Sequence, residues 1–115
     1  MIDATSSVFE AMAANEELVG KLYRAFSEKM PEQKEFWEKL SAAEFRHARW
    51  IKGMLNQVKS GAMTYTHSRI KIEAVKSFTA YLNDRIIQAN GGKIGPEAAI
   101  SLALDIEKSL IERKY

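Results

Sequence analysis

The apolar residues of this chain recur at helical spacing over most of its length. Spacings of three, four and seven residues place side chains on one face of an α-helix, and the sequence has no long alternation of apolar and polar residues of the kind that strands show. The clearest series, in the first segment, consists of Phe9, Met12, Val19, Tyr23, Phe26 and Met30. The pattern therefore predicts an all-α fold.

Proline and glycine divide the chain into helical segments. Met30-Pro31 separates the first segment from the second, because proline disfavours helix in the residue before it and suits a first helical turn. Gly61 follows the second segment, and Asn90-Gly91-Gly92 ends the third. The predicted helices span about residues 7–29, 31–60, 68–91 and 96–115, with a loop over residues 62–67.

Two polar side chains interrupt the apolar stripe of the second predicted helix. Glu44 and His47 are three residues apart and therefore share one helical face. The surrounding apolar positions that we expect to point inward are Phe36, Leu40, Ile51, Met54 or Leu55, and Val58. A carboxylate and an imidazole are costly on a buried stripe unless they have a partner, so the pair is a candidate metal site.

The first helix supplies a matching carboxylate. Glu16 lies seven residues after Phe9 and seven before Tyr23, on the apolar stripe. Glu16 precedes Pro31 by fifteen residues, while Glu44 and His47 follow it by thirteen and sixteen. At a rise of about 1.5 Å per residue, an antiparallel helix pair brings all of them to the same height. One Glu facing a Glu-x-x-His is half of a carboxylate-bridged di-iron site.

These motifs resemble those of the rubrerythrin branch of the ferritin-like superfamily. The matching segments are Asn15-Glu16-Glu17-Leu18-Val19-Gly20-Lys21-Leu22-Tyr23, Ala43-Glu44-Phe45-Arg46-His47-Ala48 and Ala103-Leu104-Asp105-Ile106-Glu107-Lys108. The resemblance implies a ferritin-like helical bundle, in which an antiparallel helix pair is followed by a crossover helix over residues 68–91 and by the start of a third bundle helix from residue 96. It also implies that Glu16, Glu44, His47 and Glu107 are metal ligands.

The family pattern is matched only in part. A fourth bundle helix with a second Glu-x-x-His is expected in that family, but Leu110 follows Glu107 by three residues and the sequence ends at Tyr115. The cysteines of the family's rubredoxin-like iron site are also missing, since the chain contains none. We therefore expect a shortened bundle that lacks the fourth helix. The alternative architecture is a complete up-down-up-down bundle of the predicted segments.

The function implied by the resemblance is that of a non-haem di-iron protein, an oxidoreductase of peroxidase or ferroxidase type. It would reduce peroxide or dioxygen, or oxidise ferrous iron, with iron as the cofactor and manganese or zinc as other candidate metals. We expect a homodimer, because a two-fold axis would bring two copies of the incomplete ligand set together. The alternative is a metal-free helical module that binds another protein through an apolar groove.

Composition and charge limit the classes of protein to which this chain can belong. At 115 residues and 46% hydrophobic, the chain is expected to form a single domain over residues 1–115. Its 17 Lys and Arg and 15 Asp and Glu give a net charge of +2. Both signs are mixed along every helix, which argues against nucleic-acid binding. No apolar run is long enough to span a membrane, and the lack of cysteine suits a reducing compartment, so we expect a cytoplasmic protein.

Overall fold

The computed structural model describes residues 4–60 and 72–114 of the chain. These residues form helices and short connections and contain no strand, which confirms the all-α prediction. The α-helices are α1 (Ala4–Lys29), α2 (Lys34–Ser60), α3 (Ile72–Asn90) and α4 (Pro96–Lys114). The loop predicted over residues 62–67 lies outside the described residues. None of the described helices combines the length and apolar character needed to cross a membrane.

The reversal between α1 and α2 occurs at Met30-Pro31. The backbone N–H of Met30 donates to the carbonyl oxygen of Phe26 at 2.9 Å, the last bond of α1. Met30 itself has φ −128° and ψ 74°, outside the helical region, as expected of a residue that precedes proline. A 3-10 turn, Pro31–Gln33, then leads into α2. The first two helices therefore fold back as an antiparallel pair.

A glycine allows this pair to pack closely. The Ser41 hydroxyl donates to the carbonyl oxygen of Gly20 at 2.8 Å, so a side chain of α2 touches the backbone of α1. A Cβ atom on Gly20 would lie 2.8 Å from the Phe45 ring. The lack of a side chain at Gly20 thus allows the close separation of the two helices near the height that Glu16 and Glu44 share along the pair.

Helix α3 runs parallel to α1, and α4 returns along the bundle. Near the start of α3, the Asn15 side-chain N–H donates to the carbonyl oxygen of Val75 at 3.1 Å. At the other end, Met30 and Ile94 line one cleft. On α4, Glu107 accepts a hydrogen bond from the Tyr23 hydroxyl at 2.7 Å. Helix α3 thus carries the chain back along the bundle and packs directly on α1, a direction that the crossover and the up-down-up-down architectures share.

All four helices contribute to one hydrophobic core. The aromatic residues Tyr23, Phe26 and Trp37 lie at its centre, and the ring centroids of Phe26 and Trp37 are 4.8 Å apart. A smaller cluster of Phe9, Ala13, Ile51 and Leu55 closes the other end of the α1–α2 pair.

The inward face of α2 differs from the predicted one. The buried line of α2 is Trp37, Ser41, Glu44, Ala48, Ile51 and Leu55. Phe36 was expected to point inward but is 49% exposed, and Leu40 and Met54 are half-buried. Ile51 and Leu55 are buried as expected, and Leu40 and Met54 pack against the edges of the core clusters. The prediction was wrong for Phe36, because the neighbouring Trp37 is the aromatic residue that packs within the core. The expectation for Val58 falls on a side chain outside the described ones. On α4, the Leu104 side chain is 67% exposed as well.

Candidate metal centre

Helices α1 and α2 bring Glu16, Glu44 and His47 together. The His47 Nδ1 atom lies 3.5 Å from Oε1 of Glu16 and 3.7 Å from Oε1 of Glu44. One potential ligand atom from each of the three residues lies within 4.8 Å of the others. The equal heights inferred from the Pro31 turn are therefore realised in the folded chain. Such a group of two carboxylates and one imidazole could hold a metal ion.

The three side chains differ strongly in burial. Glu16 and Glu44 are 1% and 2% exposed, whereas the side chain of His47 is 50% exposed. The carboxylates thus form the floor of the group, and the imidazole lies at its rim. Of the three side chains, the imidazole is therefore the one that faces solvent.

Glu44 is held in an environment that disfavours its charged form. Burial is the main factor that raises the pKa of its carboxyl group, and the neighbouring carboxyl groups of Glu16 and Glu107 raise it further through shared hydrogen bonding and charge. Within the described part of the chain, the buried Oε1 atom of Glu44 has no hydrogen-bond partner. A buried acceptor without a donor is costly, and a bound cation would remove that cost.

Glu107, the fourth predicted site residue, lies beside this group rather than within it. It is half-buried on α4, and its carboxyl group faces that of Glu44. The Tyr23 hydroxyl donates to its Oε2 atom at 2.7 Å. Burial, followed by the charge of Glu107, raises the pKa of Tyr23 well above its ordinary value. Tyr23 therefore remains a neutral donor that fixes the position of Glu107.

A polar contact next to Glu16 was not found from the sequence. Asn15 is buried, and its Oδ1 atom accepts a hydrogen bond from the Thr79 hydroxyl at 2.5 Å. Together with the bond from Asn15 to Val75, this contact ties α3 to α1 beside the carboxylate group. The sequence does contain an indication that Asn15 is buried, because Asn15 lies three residues after Met12 and four before Val19, on the apolar stripe.

Glu17 provides a contrast with its neighbour. Its side chain is 37% exposed and pairs with Lys52, with an oxygen–nitrogen distance of 2.8 Å. The apolar stripe of α1 predicts that Glu16 faces inward and, by the same helical period, that Glu17 lies toward the surface, and the structure agrees. Two adjacent carboxylates on α1 thus have different environments because they lie about 100° apart around the helix.

The donor set suits borderline and hard transition-metal ions. Carboxylate oxygens and imidazole nitrogen are ligands for iron, manganese and zinc, and the chain has no cysteine to provide a thiolate. Comparison with known proteins adds no family assignment: no family model, curated protein or solved structure matches this chain significantly. The case for a metal centre therefore rests on these side chains and their positions.

Proposed function

We propose that this protein binds a redox-active transition-metal ion, iron foremost, through Glu16, Glu44 and His47. The observation that carries the proposal is the convergence of their ligand atoms within 4.8 Å, with both carboxylates buried. Two adjacent buried carboxylates repel each other and cost free energy unless a proton or a cation lies between them. A metal ion would supply that cation, and the half-exposed imidazole would complete its first set of protein ligands.

The motif resemblance to the rubrerythrin branch supports iron over manganese and zinc, which accept the same donors. Iron held by Glu16, Glu44 and His47 would supply one-electron redox chemistry, by which an external reductant, or further ferrous iron as the electron donor, would reduce peroxide or dioxygen. Glu107 would lie next to the ion, since its carboxyl group faces Glu44. Tyr23 holds Glu107 in place with its hydroxyl group. We accordingly propose a non-haem iron oxidoreductase of peroxidase or ferroxidase type.

Elemental analysis of the purified chain tests metal binding directly. The protein is reconstituted anaerobically with ferrous iron, desalted and assayed for iron, and its absorption spectrum is recorded before and after peroxide is added. We expect about one iron ion per chain or more, and a new near-ultraviolet band on oxidation. Iron at background levels after reconstitution, in protein that is helical by circular dichroism, would refute the proposal.

A second candidate function, binding of another protein by a metal-free module, is favoured by a separate observation. Large apolar side chains are exposed on α2 and α4, among them Trp50 and Leu104, each 67% exposed. Exposed apolar groups of this kind mark interaction surfaces when they are contiguous. If the purified protein is helical by circular dichroism but binds no metal on reconstitution, the second function explains the structure better than the first.

A further inference from the structure

A cleft of about 670 Å³ lies between α1 and α2, apart from the metal centre. Its volume is within the range of small-molecule binding sites. None of the residues of the metal centre lines it. We call it the arginine cleft, and its charged lining residues are Arg24 and Glu28 of α1 and Lys34, Glu38, Arg46 and Arg49 of α2. Metal binding as proposed above makes no use of these side chains.

The charges of the arginine cleft are sorted by sign along its length. Glu28 is near the end of α1, and Lys34 and Glu38 are near the start of α2, so these side chains lie next to the turn between the helices. Two acids and one base leave that end with a net charge of −1. Arg46 and Arg49 follow Glu38 by eight and eleven residues, so the nearer of them is about 12 Å farther along α2. The cleft therefore has an acidic end at the turn and a basic end away from it.

Arg24 of α1 belongs to the basic end. Its guanidinium carbon lies over the Phe45 ring, 5.2 Å from the ring centre, and Phe45 directly precedes Arg46. Helical side chains lean toward the N-terminus of their own helix. In an antiparallel pair, Arg24 therefore extends away from the turn, while Arg46 and Arg49 extend back toward it. The basic end thus combines three guanidinium groups, one of them held in place on an aromatic ring.

These guanidinium groups have no internal counter-charge. Within residues 4–60 and 72–114, none of Arg24, Arg46 and Arg49 forms an ion pair with a carboxylate. Like charges at one end of a cleft repel one another, and an anionic ligand removes that repulsion. Guanidinium groups also bind phosphate and carboxylate oxygens through paired N–H donors. The basic end is therefore complementary to an anion.

The rest of the cleft mainly offers hydrogen-bond acceptors. Ser27 and Ser41 line it and are 3% and 5% exposed. Their hydroxyl groups donate to the carbonyl oxygens of Arg24 and Gly20, at 2.7 Å and 2.8 Å. Because each hydroxyl proton is already used, the serine oxygens can only accept from a ligand. The two carboxylates at the acidic end are also acceptors, so this part of the cleft is complementary to hydroxyl groups.

We propose that the arginine cleft binds a phosphate ester that also carries hydroxyl groups, such as a sugar phosphate. The phosphate group accepts hydrogen bonds from Arg24, Arg46 and Arg49 at the basic end. The hydroxyl groups of the ligand donate to Glu28 and Glu38 at the acidic end. A ligand of this class uses both ends of the cleft, whereas a simple anion gains from the basic end and is opposed by the acidic one. Binding here does not depend on metal.

Calorimetric titration with ribose 5-phosphate, in low-salt buffer with a chelator, tests the basic end. We expect wild-type protein to bind with a Kd below about 1 mM. Arg46→Gln, Arg49→Gln should weaken binding by about tenfold or more, because both lost groups donate charge-assisted hydrogen bonds. Lys39→Gln, Lys108→Gln removes the same charge from outside the cleft and should change the affinity less than about twofold. No binding by helical wild-type protein, or equal weakening in both variants, would overturn the proposal.

Comparison of ribose 5-phosphate with inorganic phosphate tests the acidic end. Glu28→Ala, Glu38→Ala removes negative charge and should strengthen the binding of inorganic phosphate, but it also removes the acceptors for hydroxyl groups and should weaken the binding of ribose 5-phosphate. A change in net charge or stability alone would not give these opposite signs. Tighter binding of both ligands would overturn the assignment to a hydroxylated phosphate ester. His47→Ala, which alters the metal centre alone, should bind ribose 5-phosphate as wild type does, and a loss of binding there would place the ligand outside the arginine cleft.

Discussion

The carboxyl group of Glu44 combines near-complete burial with two carboxyl neighbours. Its pKa lies above its ordinary value of 4.5, at about 10, because burial, Glu16 and Glu107 all disfavour its charge. In metal-free protein near neutral pH this group therefore retains its proton. A metal ion that binds to Glu44 must displace that proton, which couples metal affinity to pH.

The first prediction concerns this coupling. Zinc, which has no redox chemistry of its own, should bind more tightly at pH 8 than at pH 6, because less free energy is needed to remove the Glu44 proton. Calorimetry in buffers of different ionisation enthalpy should show proton release on binding. Glu44→Gln, which has no proton to lose at this position, should release fewer protons. An affinity that is constant across this pH range would contradict the coupling.

The second prediction separates the imidazole from an ordinary surface residue. His47→Ala removes one of the three converging ligand atoms and should lower the iron content of the reconstituted protein several-fold. Glu17→Gln, which removes a surface carboxylate paired with Lys52, is the matched control and should retain wild-type iron content. Iron content is measured by elemental analysis after desalting. Equal iron content in the two variants would show that the inward group is not the binding site.

At the scale of the helices, the contact between α1 and α3 depends on a buried polar pair. Thr79→Val keeps the shape of the side chain but leaves Oδ1 of Asn15 without its donor. We expect a loss of about 1–2 kcal/mol in the free energy of unfolding, measured by chemical denaturation, since an unsatisfied buried acceptor carries that cost. The exposed Ser77 on the same helix provides the control, and Ser77→Ala should change stability by less than about 0.5 kcal/mol.

Helix ends and helix faces were predictable to different degrees. The ends near Lys29, Pro31, Ser60 and Pro96 follow from local chemistry, because proline and glycine act on their own backbone. The face of α2 was not predictable to the same degree. Phe36 and Trp37 are both large and aromatic, and each belongs to a stripe with helical period. Which of them is buried depends on where α1 packs, and periodicity alone does not contain that information.

At the scale of the whole molecule, the buried carboxylates should reduce the stability of metal-free protein. A raised pKa in the folded state means that stability falls as the pH rises from about 4.5 toward 10. The fourth prediction is therefore that metal-free Glu16→Gln, Glu44→Gln unfolds at a higher temperature than metal-free parent at pH 8. Differential scanning calorimetry measures the two midpoints, and a lower midpoint for the double variant would contradict the expected cost of burying these carboxyl groups.

Addition of metal should reverse the order of the two unfolding midpoints, so that the parent unfolds at a higher temperature than the double variant. A ligand at a hundredfold excess over its dissociation constant stabilises the folded state by about 2.7 kcal/mol. Zinc should raise the unfolding midpoint of the parent by several degrees and leave that of the double variant unchanged. An equal rise in both proteins would indicate binding elsewhere on the chain.

The sequence by itself determined the helical class, the reversal at Pro31 and the common height of Glu16, Glu44 and His47. These features depend on local backbone preferences and on a constant rise per residue, both of which can be counted along the chain. Only the tertiary structure decided that His47 lies at the rim of the carboxylate group, and that Tyr23 holds Glu107 beside it. Those placements depend on the rotation of each helix about its axis, which packing between distant side chains sets.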